Sequence, residues 1–378
     1  MQATRLAPSP SVDPEATDEG AEVGPTGVAL AQASRGGQQA APWLVAGQRA
    51  VPLREFSADR PFGRASSLTE LIEHWSDHES GIRALTSLPQ TRQRIATAGE
   101  QITSLDFQAP IRPRRIFCTI GNYRRQVVEA AVDADDQADA AQRRAAILDA
   151  LAQRARAGQP YVCLTSADRI GNPTGTLTIE TGIDTLDWEV EIAVVVGAGA
   201  YRLSTDQAQG VIAGYCVAND LTIRSRVTRP DLPALGSDWL QSKGMAGSLP
   251  LGPWLVPAWQ LPDPSGLRLR LSVNGAVMQN DTAEDMVFGI DRQVAYLSQH
   301  TALQPGDVLC TGSPAGFGVH HGRFLRAGDE IKAWVSGLGA QRLRCVGEGA
   351  RAPIDTRPGA RRSAAARPST AETEHTRP

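Results

Sequence analysis

The segment DWEVEIAVVVG, Asp187 to Gly197, constrains the fold of this chain more than any other. Side chains alternate between faces along a strand, so Glu189 and Glu191 point the same way. They run directly into Ala193-Val194-Val195-Val196, which reads as a buried strand. Two adjacent like charges at the mouth of an apolar strand repel each other, and each costs roughly several kcal/mol to desolvate unless compensated. Two compensations are open. One glutamate pairs with Arg224 or Arg226 while the other is solvated at an edge, or both join a third oxygen ligand around a cation.

A third ligand is at hand in VIAGYCVANDLTIRSR, where Asp220 follows an apolar stretch, strand-like or helical, and stands beside Asn219. Three carboxylates without cysteine or histidine form a hard oxygen set that suits Mg²⁺, or Mn²⁺ or Ca²⁺, with water in the remaining positions. No histidine lies between His78 and His300. A general base from that stretch is therefore a carboxylate, a lysine or a metal-bound water. Lys243, in WLQSKGMAGSLPLGPW, is the only lysine before Lys332. It is a candidate for ionic contact with an anionic substrate, the plain alternative being a solvated side chain. The Gly-rich loop TGSPAGFGVHHGRF, Thr311 to Phe324, follows the strand-like DVLC. Such a loop can bring backbone N–H groups to a carboxylate or enolate, or it can simply connect strands. Gly197-Ala-Gly199 lacks the third glycine of a dinucleotide fingerprint and reads as a turn.

A chain of 378 residues suffices for two domains or one large domain with tails. A net charge of −3, with acids and bases interspersed, leaves no basic field for nucleic acid. No run of about 18 apolar residues occurs and the start lacks an export signal's apolar region, so the expectation is a cytoplasmic protein without a membrane span. Five scattered cysteines with no CxxC pair argue against a disulfide framework or a structural zinc site. Residues 1–24 and 351–378 read as disordered tails. Between them a small α+β domain over 25–110 has strand-like APWLVAG and RAVPL and a helix stripe at Leu68, Leu71, Ile72 and Trp75. A β-rich region over 111–350 follows. It contains a polar helical run over 125–157, with a break near Asp133 to Asp136, that would pack by one edge as a flap. One further helix opens at Ser204 with a capping box.

The succession IFCTIGNYRRQVVE, DWEVEIAVVVG, AGYCVANDLT, Lys243 seven residues before PLGPW, LSVNGAVMQ, LSQHTALQPGDVLCTGSPAGFG and GDEIKAWVSGLG resembles the fumarylacetoacetate hydrolase family over about residues 110 to 347. It is most similar to the bacterial branch acting on 2,4-diketo or 2-oxo acids. The resemblance implies a mixed β-rich α+β fold, a rolled mixed sheet behind a small N-terminal domain, and a homodimer. It implies Mg²⁺ held by Glu189, Glu191 and Asp220, an active-site Lys243, and substrate contacts at Ser313, with Thr311, Gly312, Arg224 and Asn122 around it. The implied substrate is a small 2-oxo acid whose enolate the metal stabilises, with no nucleic acid or membrane partner.

Departures from the family pattern concern protons. The family's NYxxHxxE flap reads Asn122-Tyr-Arg-Arg-Gln126-Val-Val-Glu129 here, so Glu129 remains and Gln126 replaces the dyad histidine. Glutamine can orient a water but cannot take its proton. A lysine usual upstream of the ExE strand is missing from YVCLTSADR, and Ala246 stands where an aspartate often follows the lysine. Three readings follow: C–C bond hydrolysis of an acylpyruvate-like acid by Glu129 alone or with His320 or His321; a non-hydrolytic decarboxylase, isomerase, hydratase, lyase or cyclase; or a metal-binding pseudoenzyme.

Overall fold

Val190–Val196 lies third in a six-stranded sheet whose order is Val256–Pro257, Ile212–Asn219, Val190–Val196, Val308–Cys310, Ile116–Ile120, Tyr161–Thr165. In this computed structural model the described residues are 24–57, 59–132 and 140–349. The expected tails, apart from Gly24, and the expected break at Asp133 to Asp136 lie outside them. Every residue of Val190–Val196 is buried. Val190, Ile192, Val194 and Val196 enter one core, and Ala193 and Val195 another. Both faces are thus covered, which accounts for the unbroken apolar run. The strand pairs antiparallel with both neighbours, while Val308–Cys310 and Ile116–Ile120 run parallel, making the sheet mixed.

The first core is closed by a five-stranded sheet of Ala276–Thr282, Arg268–Val273, Glu330–Val335, Gly339–Gly347 and Thr174–Ile179, in that order. The result is the strand-rich mixed α+β fold with a curled sheet that the sequence implies. The stretch before Asn219, open between strand and helix in the sequence, is the strand Ile212–Asn219.

Residues 29–108 carry a five-stranded sheet with helices Leu68–Glu73, Trp75–Ser87 and Pro89–Ala98. Leu68, Leu71, Ile72 and Trp75 are all buried. This region is stitched to the rest by paired backbone bonds between Leu30 and Leu255 and by Trp75 stacked on Trp259 at 5.8 Å. A Cβ at Gly197 would meet Trp75 Cδ1 at 2.4 Å, so packing explains the glycine that opens Gly197-Ala-Gly199. The described residues up to Glu348 form one compact unit.

The flap is the helix pair Arg124–Val132 and Ala140–Ala157, which ends where Gly158 N–H donates to Arg154 O at 2.8 Å. Only Val128 and Leu151 are buried in it, against Val287 and Phe288, which is the one-edge packing expected. Two elements differ from expectation. Ser204 opens a 3₁₀ helix, Thr205–Val211, and a helix Ile290–His300 that the sequence reading did not anticipate follows the five-stranded sheet's hairpin.

Candidate active site

Glu189, Glu191 and Asp220 present carboxylate oxygens that all lie within 4.8 Å of one another, and all three residues are buried. The local chain makes this arrangement. Ladder pairing starts at Val190, because Leu186–Asp187 pairs separately with Thr222–Ile223, so Glu189 stands just ahead of the strand rather than within it. Its N–H donates to Asn219 Oδ1 at 3.0 Å and its carbonyl accepts from Asp220 N at 2.8 Å, which locks the two ligand-bearing segments together.

Cations surround two of the three. Arg169, with no exposed surface, donates from Nη2 to Asp220 Oδ1 at 2.5 Å and from Nε to Ser248 Oγ at 3.0 Å. Lys243 Nζ donates to Asp220 Oδ2 at 2.5 Å, Thr222 Oγ1 at 2.8 Å and Glu189 Oε2 at 3.3 Å, which uses its three hydrogens. Arg224 Nη2 lies 2.7 Å from Glu189 Oε1, and its Nε donates to Asp187 Oδ2 at 2.8 Å. The pairing of a glutamate with Arg224 therefore holds for Glu189. The companion idea of a solvated edge glutamate does not, since Glu191 is buried under the Gly-rich loop.

Burial would raise the Asp220 carboxyl, but Arg169 and then Lys243 outweigh it and hold it below the usual carboxylate range. Burial likewise disfavours the charge on Lys243, yet Asp220 and Glu189 hold it above the usual lysine range. Asp220 and Glu189 thus favour the charged form of Lys243. Glu191 differs. Its Oε2 accepts only the Gly312 N–H, at 2.7 Å, and no cationic side chain among the described residues contacts it. Burial first, then the charges of Asp220 and Glu189, push its carboxyl well up. A divalent cation against these oxygens would supply the charge the protein itself does not give Glu191, and the all-oxygen donor set fits Mg²⁺, Mn²⁺ or Ca²⁺.

A cavity of about 390 Å³ opens beside this cluster, lined among others by Gln126, Glu189, Arg224, Lys243, Ser313 and Phe317. Ser313 Oγ accepts from Gln279 Nε2 at 2.9 Å, while Gln279 Oε1 takes the Val190 N–H at 3.0 Å. The serine hydrogen is left to donate to a ligand. Thr311 and Gly312 shape the loop instead, Thr311 Oγ1 donating to Ile192 O and Gly312, at φ +95°, approaching Asn122 so closely that a Cβ would sit 2.9 Å from its Cβ. The Asn122 amide is spent on Thr311 O, Phe288 O and Phe288 N–H. Glu129 is half-buried and accepts the Gly316 N–H at 2.8 Å, tying the flap to the loop. His320 stacks on Phe317 at 6.3 Å and His321 is exposed.

Three residues at the site were not singled out from the sequence. Arg169 sits in a Ser-Ala-Asp-Arg turn that looks like solvated surface, though the missing upstream lysine hints that another cation must replace it. Asp187 accepts from Gly318 N at 2.7 Å and Val319 N at 3.1 Å as well as from Arg224, and so fastens the loop to the ligand segment. Gln279 is the last residue of LSVNGAVMQ.

Fold and site together define a strand-rich enzyme scaffold with a buried acidic cluster beside a cavity that Arg224 and Lys243 help to line. Residues 115–346, more than half of the chain, match the family model for the C-terminal region of fumarylacetoacetate hydrolase, and the chain belongs to that family. A provisionally named hydrolase from Burkholderia cenocepacia (strain HI2424) is 38% identical over 190 residues, 49% of this chain. The chain spans 65% of that relative's length. Among solved structures, a provisionally named 2-hydroxyhepta-2,4-diene-1,7-dioate isomerase from Mycobacterium abscessus is 26% identical with a TM-score of 0.59, covering 85% of this chain and 99% of its own. The maleylpyruvate hydrolase of Sphingobium sp. SYK-6, solved with manganese(II) and pyruvate, shares the fold at 19% identity and a TM-score of 0.60, with coverages of 84% and 99%. The family comprises enzymes acting on oxo acids. No helix among the described residues is long and apolar enough to cross a membrane.

Proposed function

We propose that this chain is a divalent-metal-dependent enzyme, with Mg²⁺ as the ion, that cleaves a C–C bond of a 2-oxo or 2,4-dioxo acid of the acylpyruvate kind by hydrolysis. The observation that carries the reading is the buried triad Glu189, Glu191 and Asp220, in which no cationic side chain among the described residues contacts Glu191, beside a cavity lined among others by Arg224, Lys243 and Ser313. When bound, the ion supplies Lewis-acid stabilisation of the enolate charge that develops as the bond breaks. Arg224 and the Ser313 hydroxyl bind and orient the substrate carboxylate. Lys243 stays protonated and fixes Glu189 and Asp220 in place. Gln126, facing the same cavity, orients a water or hydroxyl without accepting its proton.

A second reading, non-hydrolytic turnover of a similar acid, draws on two observations: Gln126 occupies the cavity wall, and Glu129 is engaged with Gly316. Turnover of an acylpyruvate in H₂¹⁸O with Mg²⁺ decides between them. Label in a released carboxylate supports hydrolysis, turnover without label supports the second reading, and no turnover of any 2-oxo acid overturns both. The proposal includes a homodimer in the cytoplasm, and light scattering that gives the mass of one chain would refute that part.

A further inference from the structure

Four of the five cysteines fall on one line across the six-stranded sheet. Cys216 stands opposite Ala193, Ala193 opposite Cys310, Cys310 beside Cys118, and Cys118 opposite Cys163. Side chains in register on neighbouring strands share a face of the sheet. Cys310, Cys118 and Cys163 thus form an uninterrupted row of thiols across three neighbouring strands. Cys118, Cys216 and Cys310 are buried, whereas Cys163 is half-buried on the edge strand Tyr161–Thr165, where solvent reaches it.

Nothing in oxo-acid chemistry uses these thiols, and an isolated buried cysteine would be an inert apolar residue. A register-matched pair with one member open to solvent is different. Directly opposed residues on antiparallel strands have Cα atoms about 4.5–5.5 Å apart, within the roughly 4.4–6.8 Å that a disulfide requires. Position adds meaning. Ile116–Ile120 leads into the flap and Tyr161–Thr165 leads out of it, so both flap helices lie between Cys118 and Cys163 in the chain. From this foot a path also runs to the acidic cluster. Cys118 Sγ lies 3.9 Å from Thr165 Oγ1, which accepts from Arg169 Nη1 at 3.3 Å, and Arg169 holds Asp220.

We propose that Cys118 and Cys163 form a reversible disulfide when the protein meets a peroxide, clasping the two strands from which the flap springs. The thiolate of the pair attacks a peroxide oxygen, the O–O bond breaks, and hydroxide leaves, giving a sulfenic acid. The second thiol then attacks that sulfur, the S–O bond breaks, and water departs with the thiol proton. Two thiols lose two electrons and one peroxide is reduced to two waters. A dithiol reductant reverses the step.

The test treats the full chain with a small excess of hydrogen peroxide, blocks remaining thiols with iodoacetamide, and maps tryptic peptides without reduction. The two cysteines lie in different peptides, residues 116–124 and 157–169. The expected result is a joined 116–124/157–169 species, lighter by two hydrogens than the sum of its parts and abolished by dithiothreitol. It is accompanied by a rise in unfolding midpoint that Cys163→Ser does not show. Cys163 recovered only as blocked thiol or as sulfinic acid overturns the proposal. So does Cys118 joined to Cys310, or an equal midpoint rise in the Cys163→Ser chain.

Discussion

Arg169 meets Asp220 at 2.5 Å across 51 residues of sequence, with neither side chain exposed to more than 1%. Arg169 and Lys243 thereby occupy both oxygens of one carboxylate of the acidic cluster. Removing one partner of a buried pair leaves an uncompensated charge, at a cost of about 3–5 kcal/mol. Arg169→Met is therefore expected to lower stability by that order in metal-free buffer. Saturating Mn²⁺ should recover more stability in the variant than in the parent, because the ion then offsets charge that Arg169 no longer covers. Denaturant titrations with and without Mn²⁺ measure this, and unchanged midpoints would remove Arg169 from the charge balance.

Glu129 accepts the Gly316 N–H, and its amide isostere can accept the same bond. Glu129→Gln should keep kcat within several-fold of the parent, while Glu129→Ala loosens the flap from the loop and raises KM. A fall of about 10² or more in kcat for Glu129→Gln would instead mark the carboxylate as the base that activates water.

Gln126 lines the cavity beside the acidic cluster, at the position where the resemblance to the family implies a dyad histidine. Gln126→His should raise water-dependent cleavage of an acylpyruvate by about 10², the scale of general base catalysis. Steady-state rates with Mg²⁺ decide it, and an unchanged, measurable hydrolysis would show that this position does not handle the proton.

Asp187 gathers Arg224, Gly318 N and Val319 N on one buried carboxylate. Asp187→Ala strands a cation and two backbone donors, so a loss of about 3 kcal/mol or more is expected, together with weaker substrate binding. Thermal unfolding of the variant indistinguishable from the parent would contradict that role.

The acidic triad was legible because a period of two fixes where ExE points and because Asp220 comes in the right order of segments. The rest of Val190–Val196 was legible because burial on both faces leaves no polar position after Glu191. Arg169 was not, since only folding brings a Ser-Ala-Asp-Arg turn beneath Asp220. The helix Ile290–His300 was also missed. Its buried Ile290, Val294 and Leu297 follow a helical spacing, but polar residues interrupt them and they lie in a stretch that reads by motif rather than by period. Glu129 was placed on the flap correctly, while its engagement with Gly316 depends on a loop contact that spacing does not encode.

The central claim is that Glu189, Glu191 and Asp220 hold one divalent ion. Calorimetric titration of Mg²⁺ and Mn²⁺ into the parent chain, Glu191→Gln and Asp220→Asn tests it most directly, with circular dichroism to show that each variant is folded. The account predicts one ion per parent chain and no measurable binding in either folded variant. Unchanged affinity in Glu191→Gln would contradict it.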